Sequence, residues 1–233
     1  NQLLLMNSRL SYSELAQKLE FSVNAVHKRV KVMTETGIIR AYTARVSLAA
    51  IKAFGVWIFG RSEARPLDEV HLKLQNNTST YWVAYAGGGY IYVGAYIQQI
   101  SDLEQYVSFV KREAQMVDPI VGIVSAPPYP EEKLFPLDYQ IIRILRKDAR
   151  RPVSEVAGEL GVSPRTVRRR LDRMLEKGLV ELSIDWYPDA SNDIMSVCHL
   201  QLATPDKEKV MASLMQKFTP NLLFCEIFSN LPS

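Results

Sequence analysis

The stretch from Leu137 to Val180, LDYQIIRILRKDARRPVSEVAGELGVSPRTVRRRLDRMLEKGLV, decides the fold. Leu137 to Lys147 reads as a helix, with apolar positions at Leu137, Ile141, Ile144 and Leu145. A short helix follows from about Val153 to Leu160. Gly161 then supplies a residue tolerant of positive φ, which a tight interhelical turn requires. Ser163 is placed to cap the next helix, and Pro164 falls at its first position, where a missing N–H costs nothing. That helix runs to about Glu176 and stops at Gly178. Val167, Leu171 and Met174 lie at i, i+4 and i+7 and form its inward stripe. The pattern is helix, turn, helix.

The same pattern occurs 141 residues earlier. Ser13-Glu14-Leu15-Ala16 falls on Ser154-Glu155-Val156-Ala157, and Leu19, Ser22, Val26, Arg29 and Met33 fall on Leu160, Ser163, Val167, Arg170 and Met174. Glu35 and Gly37 meet Glu176 and Gly178, and Ile38-Ile39 meets Leu179-Val180, with no gap. In this first copy Ser11 and Glu14 form a capping box. Ser22 caps the third helix, whose stripe is Val26, Val30 and Met33. Glu20 stands where the second copy has Gly161, and a side chain there is expected either to strain the turn by about 1 kcal/mol or to alter its angle. The leading helix is expected to be short, since the sequence starts at Asn1.

Removing the inward stripe leaves the surface of each third helix. In the second copy it carries Arg165, Thr166, Arg168, Arg169 and Arg173 near the helix start. A recognition helix meets base edges with its N-terminal residues, and arginine pairs bidentately with guanine. Ser163, Pro164 and the free helix N-terminus offer a phosphate site. The first copy presents Ser22, Asn24, Ala25, His27, Lys28 and Lys31, a less basic set in which Asn24 suits adenine and Lys28 a phosphate. His27 has no Cys or His neighbour at ligand spacing, so no metal is expected there.

The charge distribution agrees. The net charge of the 233 residues is only +3, but Arg143 to Lys177 carries +6 and Arg9 to Arg40 carries +3, leaving −6 elsewhere. A content of 47% hydrophobic and 23% charged residues is that of an ordinary globular protein of one to three domains. No apolar run reaches the ~18–20 residues of a membrane span; the nearest, Ala49 to Gly60, contains Lys52. No signal peptide is expected, because Arg9 and Ser11 follow the short apolar patch Leu3 to Met6. Two cysteines, Cys198 and Cys225, make neither a disulfide framework nor a four-ligand zinc site, which suits a cytoplasmic protein. No cofactor is expected.

Between and after the repeats the period changes towards 2. Phe54 to Gly60, Thr80 to Ala86, Tyr90 to Ile97 and Pro119 to Ser125 read as strands, with helices at Pro66 to Gln75 and from Ser101 to about Glu113. The order βαββαβ is that of a ferredoxin-like sandwich. Gly87-Gly88-Gly89 joins the middle strands as a hairpin turn. Pro127-Pro128 and Pro130 mark a stiff linker. Ile194 to Leu202, Asp206 to Phe218 and Leu222 to Phe228 read as strand, helix and strand, an incomplete second sandwich whose open edge calls for missing residues or another chain. The expected fold class is α+β: two winged helix-turn-helix units, each followed by a ferredoxin-like module, the second incomplete. The expected boundaries are helix-turn-helix 1 at 1–45, module 1 at 50–127, helix-turn-helix 2 at 134–187 and a partial module 2 at 192–233.

Leu137-Asp138 through Ile144-Leu145, Ser154-Glu155-Val156-Ala157, Gly161-Val162-Ser163, Val167, Arg170 and Glu176-Lys177-Gly178-Leu179 resemble the Lrp/AsnC (feast/famine) family of prokaryotic transcriptional regulators. The resemblance implies double-stranded DNA as partner, a dimer formed through the sandwich sheets, and a small-molecule effector such as an amino acid at the interface. Two departures stand out. The family usually has one helix-turn-helix per chain, and its effector loop runs Gly, two residues, then Asp. Here Gly87, Gly88 and Gly89 lead to Tyr90, with no acid to hold an ammonium group. Two copies in one chain suggest an intrachain pseudo-dimer through the sandwich modules, addressing two unequal half-sites ~34 Å apart or a multiple of it.

Two rivals remain. The siroheme decarboxylases resemble this family in fold and pair two such units, but they call for clustered His and Arg in the sandwich, where only His71 and His199 occur. No nucleophile-base-orienter trio or P-loop appears, so an enzyme is not expected. The other rival is a ligand sensor or oligomerisation protein that no longer touches DNA.

Overall fold

The computed structural model describes residues 2–125, 130, 132–191, 194–202, 206–218, 221–222 and 224–231. In chain order the first elements are α1 (Gln2–Met6), α2 (Tyr12–Leu19), α3 (Val23–Glu35) and β1 (Ile39–Val46). Then come β2 (Phe54–Arg61), α4 (Leu67–Gln75), β3 (Thr80–Ala86), β4 (Tyr90–Ile97), α5 (Ser101–Glu113) and β5 (Ile120–Ile123). The last are α6 (Pro136–Leu145), α7 (Val153–Leu160), α8 (Pro164–Glu176), β6 (Val180–Trp186) and α9 (Lys207–Phe218). These form two units, residues 1–50 with 130–200 and residues 51–129 with 201–233. Four consecutive domains were expected; instead both helix-turn-helix copies join one unit.

In the first unit the helix boundaries follow from local chemistry. Ser11 and Glu14 cap α2 reciprocally, and the Ser22 and Ser163 hydroxyls accept the third-residue N–H of α3 and α8. Gly161 ends α7 in the left-handed region at φ 66°, and Glu20 is forced into the same conformation at φ 56°. Val167, Leu171 and Met174 are buried, as are Val26 and Val30.

What joins the copies is a two-stranded antiparallel sheet of β1 and β6. Tyr42 faces Ile184 and Thr43 faces Ser183. At the repeat offset Ser183 is the counterpart of Tyr42, and Ile184 of Thr43. The pairing is therefore self-complementary, as across a two-fold axis between those pairs. Ser47 N–H donates to Leu179 O at 3.0 Å. Its counterpart, Pro188, has no N–H to give. At that end the register slips between Ile39 and Ala41, and Tyr187 N–H donates to Ile38 O at 2.8 Å instead.

A second reciprocal contact flanks the sheet. Arg9 Nη1 donates to Ala149 O at 2.7 Å and Arg151 O at 3.2 Å. Its counterpart Arg150 donates through Nε to Ser8 O at 2.8 Å and through Nη2 to Leu10 O at 3.2 Å. Burial pulls the Arg9 guanidinium below its usual range, with nearby Asp148 opposing the shift. The same turn presents both arginines: Asn7 and Asp148 side chains accept the N–H of Arg9 and of Arg150. The cores also interlock. Ile184 joins the core of the first copy with Leu4, Leu15, Val26 and Ile39, while Ala44 joins that of the second with Ile141, Val156 and Val167. The pseudo-dimer thus runs through the helix-turn-helix strands, not through sandwich modules as expected; the described residues form one such module only.

That module is the second unit. Its sheet order is β3-β4-β2-β5, all antiparallel, the ferredoxin-like arrangement. Val56, Ile58, Val93 and Ala95 meet Val70, Leu74, Tyr106 and Val110 of α4 and α5 on one face. Trp57, Phe59 and Tyr92 line the other, with Trp82 beside them. Phe228 lies on that face, over Gly122, where a Cβ would collide with its ring. Ser125 N–H donates to Ile227 O and Ser229 N–H to Ile123 O, so this segment borders β5.

Among the described residues the second sandwich is not built. Residues 194–202 form no strand, and Ile194 is 95% exposed. A period-2 pattern becomes a strand only beside a partner ladder, and among the described residues none lies there. The expected strand Leu222 to Phe228 reduces, in its described residues, to one bridge from Phe228 to Val124. The linker prolines Pro127 and Pro128 lie outside the described residues. Among those described, no helix is long and apolar enough to cross a membrane.

Replacing Glu20 with Gly removes the left-handed strain of the α2–α3 turn. Glu20→Gly is expected to stabilise the first unit by about 1 kcal/mol, seen as a raised denaturant midpoint at unchanged m-value; a lowered midpoint would show that the turn is not strained.

Candidate nucleic-acid interface

The arginines of α8 divide into two groups by helical position. Arg165, Arg168 and Arg169 are exposed, and among the described residues none pairs with a carboxylate. Opposite the buried stripe, successive guanidinium groups have little but solvent in reach. Arg170 and Arg173 point back towards α6. Arg170 Nη1 contacts Asp138 Oδ1 at 3.1 Å, and Arg173 Nη2 contacts Asp138 Oδ2 at 2.6 Å. Arg173 Nη1 also reaches Glu132 at 2.8 Å. Both guanidinium groups lie over the Phe135 ring, at 5.8 and 5.1 Å.

Asp138 itself is fully buried, and its Oδ2 accepts the Phe135 N–H at 2.8 Å, closing the first turn of α6. A buried carboxylate is tolerable only with such compensation. The expectation that Arg173 faces outward is therefore corrected. It lies nine residues into the helix, where the helical rotation turns it to the α6 side, and Asp138 and Glu132 hold it there. The Glu132 carboxyl is drawn below its usual range by hydrogen bonds from Lys177 and Arg173.

The leading end of α8 keeps its expected chemistry. Ser163 Oγ accepts the Thr166 N–H at 3.1 Å and bonds the Thr166 hydroxyl at 2.9 Å. Pro164 occupies the first turn and is exposed. The N-terminus of α8, Arg165, Arg168 and Arg169 thus share one open, positive surface.

In the first copy Ser22, Asn24, His27, Lys28 and Lys31 are exposed on α3. They are more encumbered. The His27 ring stands edge-on to Tyr12 at 5.0 Å, and Lys31 lies 3.7 Å from Glu35. That ion pair is exposed and contributes little. Arg29, the counterpart of Arg170, stacks over Phe21 at 4.0 Å.

The glycine loop gives a different result. Gly88 and Gly89 have φ of 73° and 80°, so the hairpin turn uses them as expected of glycine. Tyr90 lines an open cleft of about 240 Å³ with Arg61, Glu63 and Asp118; Gly87, Gly88 and Gly89 do not line it. His71 lies beside Tyr85, with ring centroids 5.8 Å apart. No group of three metal-ligating side chains occurs among the described residues.

Known proteins resemble this chain chiefly at the two copies. Residues 136–175 match the AsnC-type helix-turn-helix domain, and residues 2–40 match a winged helix-turn-helix DNA-binding domain. Regulatory protein AsnC of Haemophilus influenzae is 44% identical over 45 residues, 19% of this chain and 30% of that protein. The HTH-type transcriptional regulator LysM of Sulfurisphaera tokodaii is 32% identical over 77 residues, 31% of this chain and 54% of that one. The chain thus spans between about a third and a half of the length of these relatives. A crystal structure of the siroheme decarboxylase NirDL aligns over 78% of this chain and 62% of its own, at 18% identity and a TM-score of 0.49.

Asp138→Ala would leave the partly buried Arg170 guanidinium without its carboxylate, leave Arg173 with Glu132 alone, and open the first turn of α6. It is expected to destabilise the first unit by about 3 kcal/mol, measured by urea unfolding; a loss below about 1 kcal/mol would show that the arginines find water instead.

Proposed function

We propose that this chain, which carries two helix-turn-helix domains and has Lrp/AsnC-type transcriptional regulators among its relatives, is itself a sequence-specific DNA-binding regulator. The observation that carries the reading is the open arginine surface at the start of α8. Three guanidinium groups, none paired with a carboxylate among the described residues, stand beside an exposed helix N-terminus, on a helix capped and turned as a recognition helix is. Arginine at these positions suits the guanine edge, and the helix terminus suits a phosphate.

The β1–β6 pairing supports one chain addressing two half-sites. Two recognition helices related by a two-fold axis fit major grooves one helical turn, ~34 Å, or a multiple of it apart. The protein works without catalysis in this reading, in keeping with the regulators AsnC and LysM named above, and in the cytoplasm. A small-molecule effector, where one acts, would enter the cleft beside Tyr90.

The test is a titration of duplex DNA at several salt concentrations. Arg168→Ala with Arg169→Ala is expected to weaken binding at least ~30-fold and to flatten the salt dependence by up to ~2 counterions. The unfolding midpoint should not move, since both side chains are exposed. Unchanged affinity would remove α8 as the recognition helix.

A further inference from the structure

The two-fold relation between the copies allows their DNA-facing surfaces to be compared position by position. Arg165, Thr166, Arg168 and Arg169 of α8 correspond to Asn24, Ala25, His27 and Lys28 of α3. Three planar guanidinium forks stand opposite one amide, one imidazole and one ammonium group. A fork pairs bidentately with guanine, whereas lysine acts as a point charge and suits phosphate. His27 is further committed by its edge contact with Tyr12.

A second difference lies outside the recognition helices. Exposed cations elsewhere on such a unit can also meet phosphates. On α6 and the turn after it, Arg143, Arg146 and Lys147 are exposed, with no carboxylate partner among the described residues. Their counterparts on α1 are Gln2, Leu5 and Met6, all neutral. The first copy offers the exposed lysines Lys18, Lys28 and Lys31, the last beside Glu35. Base-reading groups and backbone cations are therefore both concentrated on the second copy.

We infer that the bound duplex is lopsided. One half-site carries guanines and is read by Arg165, Arg168 and Arg169 of α8. The other is held by α3 mainly through phosphates, with little demand on its bases. This rests on the DNA-binding reading above. The second copy sets where the chain sits, and the first adds affinity and fixes the spacing. Each bidentate arginine–guanine pair discriminates about tenfold or more against another base, so the second half-site dominates sequence choice.

The experiment is selection from a library of random duplexes by the intact chain at near-physiological salt, with protein limiting, followed by titration of variants on the enriched site. The expected site shows guanine preference in one half and nearly flat composition in the half one turn away. Arg168→Ala should erase a guanine preference and weaken binding at least tenfold. Asn24→Ala should leave the selected sequence unchanged and weaken binding less than threefold. A palindrome with equal preference in both halves overturns the lopsided site while leaving the regulator reading intact, and so does loss of sequence preference in the Asn24→Ala variant. Failure to retain any duplex overturns both.

Discussion

The self-complementary pairing of β1 with β6 is the constraint on which the first unit depends. Neither helix-turn-helix copy buries its core alone: one takes Ile184 from the other's strand, and the other takes Ala44 in return. Arg9 and Arg150 then hold each other's preceding turn by its carbonyl oxygens. These bonds are charge-assisted and partly withdrawn from water, which makes them stronger than ordinary surface contacts. A duplicated sequence has thus kept the interaction geometry of a symmetric dimer inside one chain. The departure at Pro188 shows how strict that geometry is, because one missing N–H moves the register by a residue.

Within that frame the arginines of α8 perform two tasks set by helical position alone. Arg170 and Arg173 face α6 and neutralise Asp138, which in turn closes the first turn of α6. Arg165, Arg168 and Arg169 face away and pair with no carboxylate among the described residues. The inward pair fixes the angle of the helix, and the outward three use it. Removing Asp138 would therefore disturb the presentation of groups it never touches.

Much of this was legible in the sequence because it is local. Ser11, Ser22 and Ser163 cap the helices they precede, Gly161 turns the chain, and the Val167-Leu171-Met174 stripe needs only periodicity. The βαββαβ order followed from alternation and the glycine hairpin. What escaped depends on partners distant in sequence. The strands β1 and β6 alternate at Tyr42, Ala44 and Val46 and at Val180, Leu182 and Ile184, but alternation does not say that the two copies pair with each other. Arg9 and Arg150 sit at the repeat offset, a signal that extending the comparison upstream of Ser13 would have found. Arg173 was expected at the DNA surface because burial of Asp138 is a tertiary property. The pattern at 194–202 promised a strand that has no partner strand among the described residues.

The central claim is that the two helix-turn-helix copies of one chain pair with each other through β1 and β6. Thr43 and Ser183 face each other across that pairing, at a separation a disulfide can span. In a chain with Cys198→Ser and Cys225→Ser, the pair Thr43→Cys and Ser183→Cys should oxidise within single chains, giving a compact monomer on a non-reducing gel. Covalent dimers, or thiols that stay unlinked under mild oxidant, would contradict the pairing.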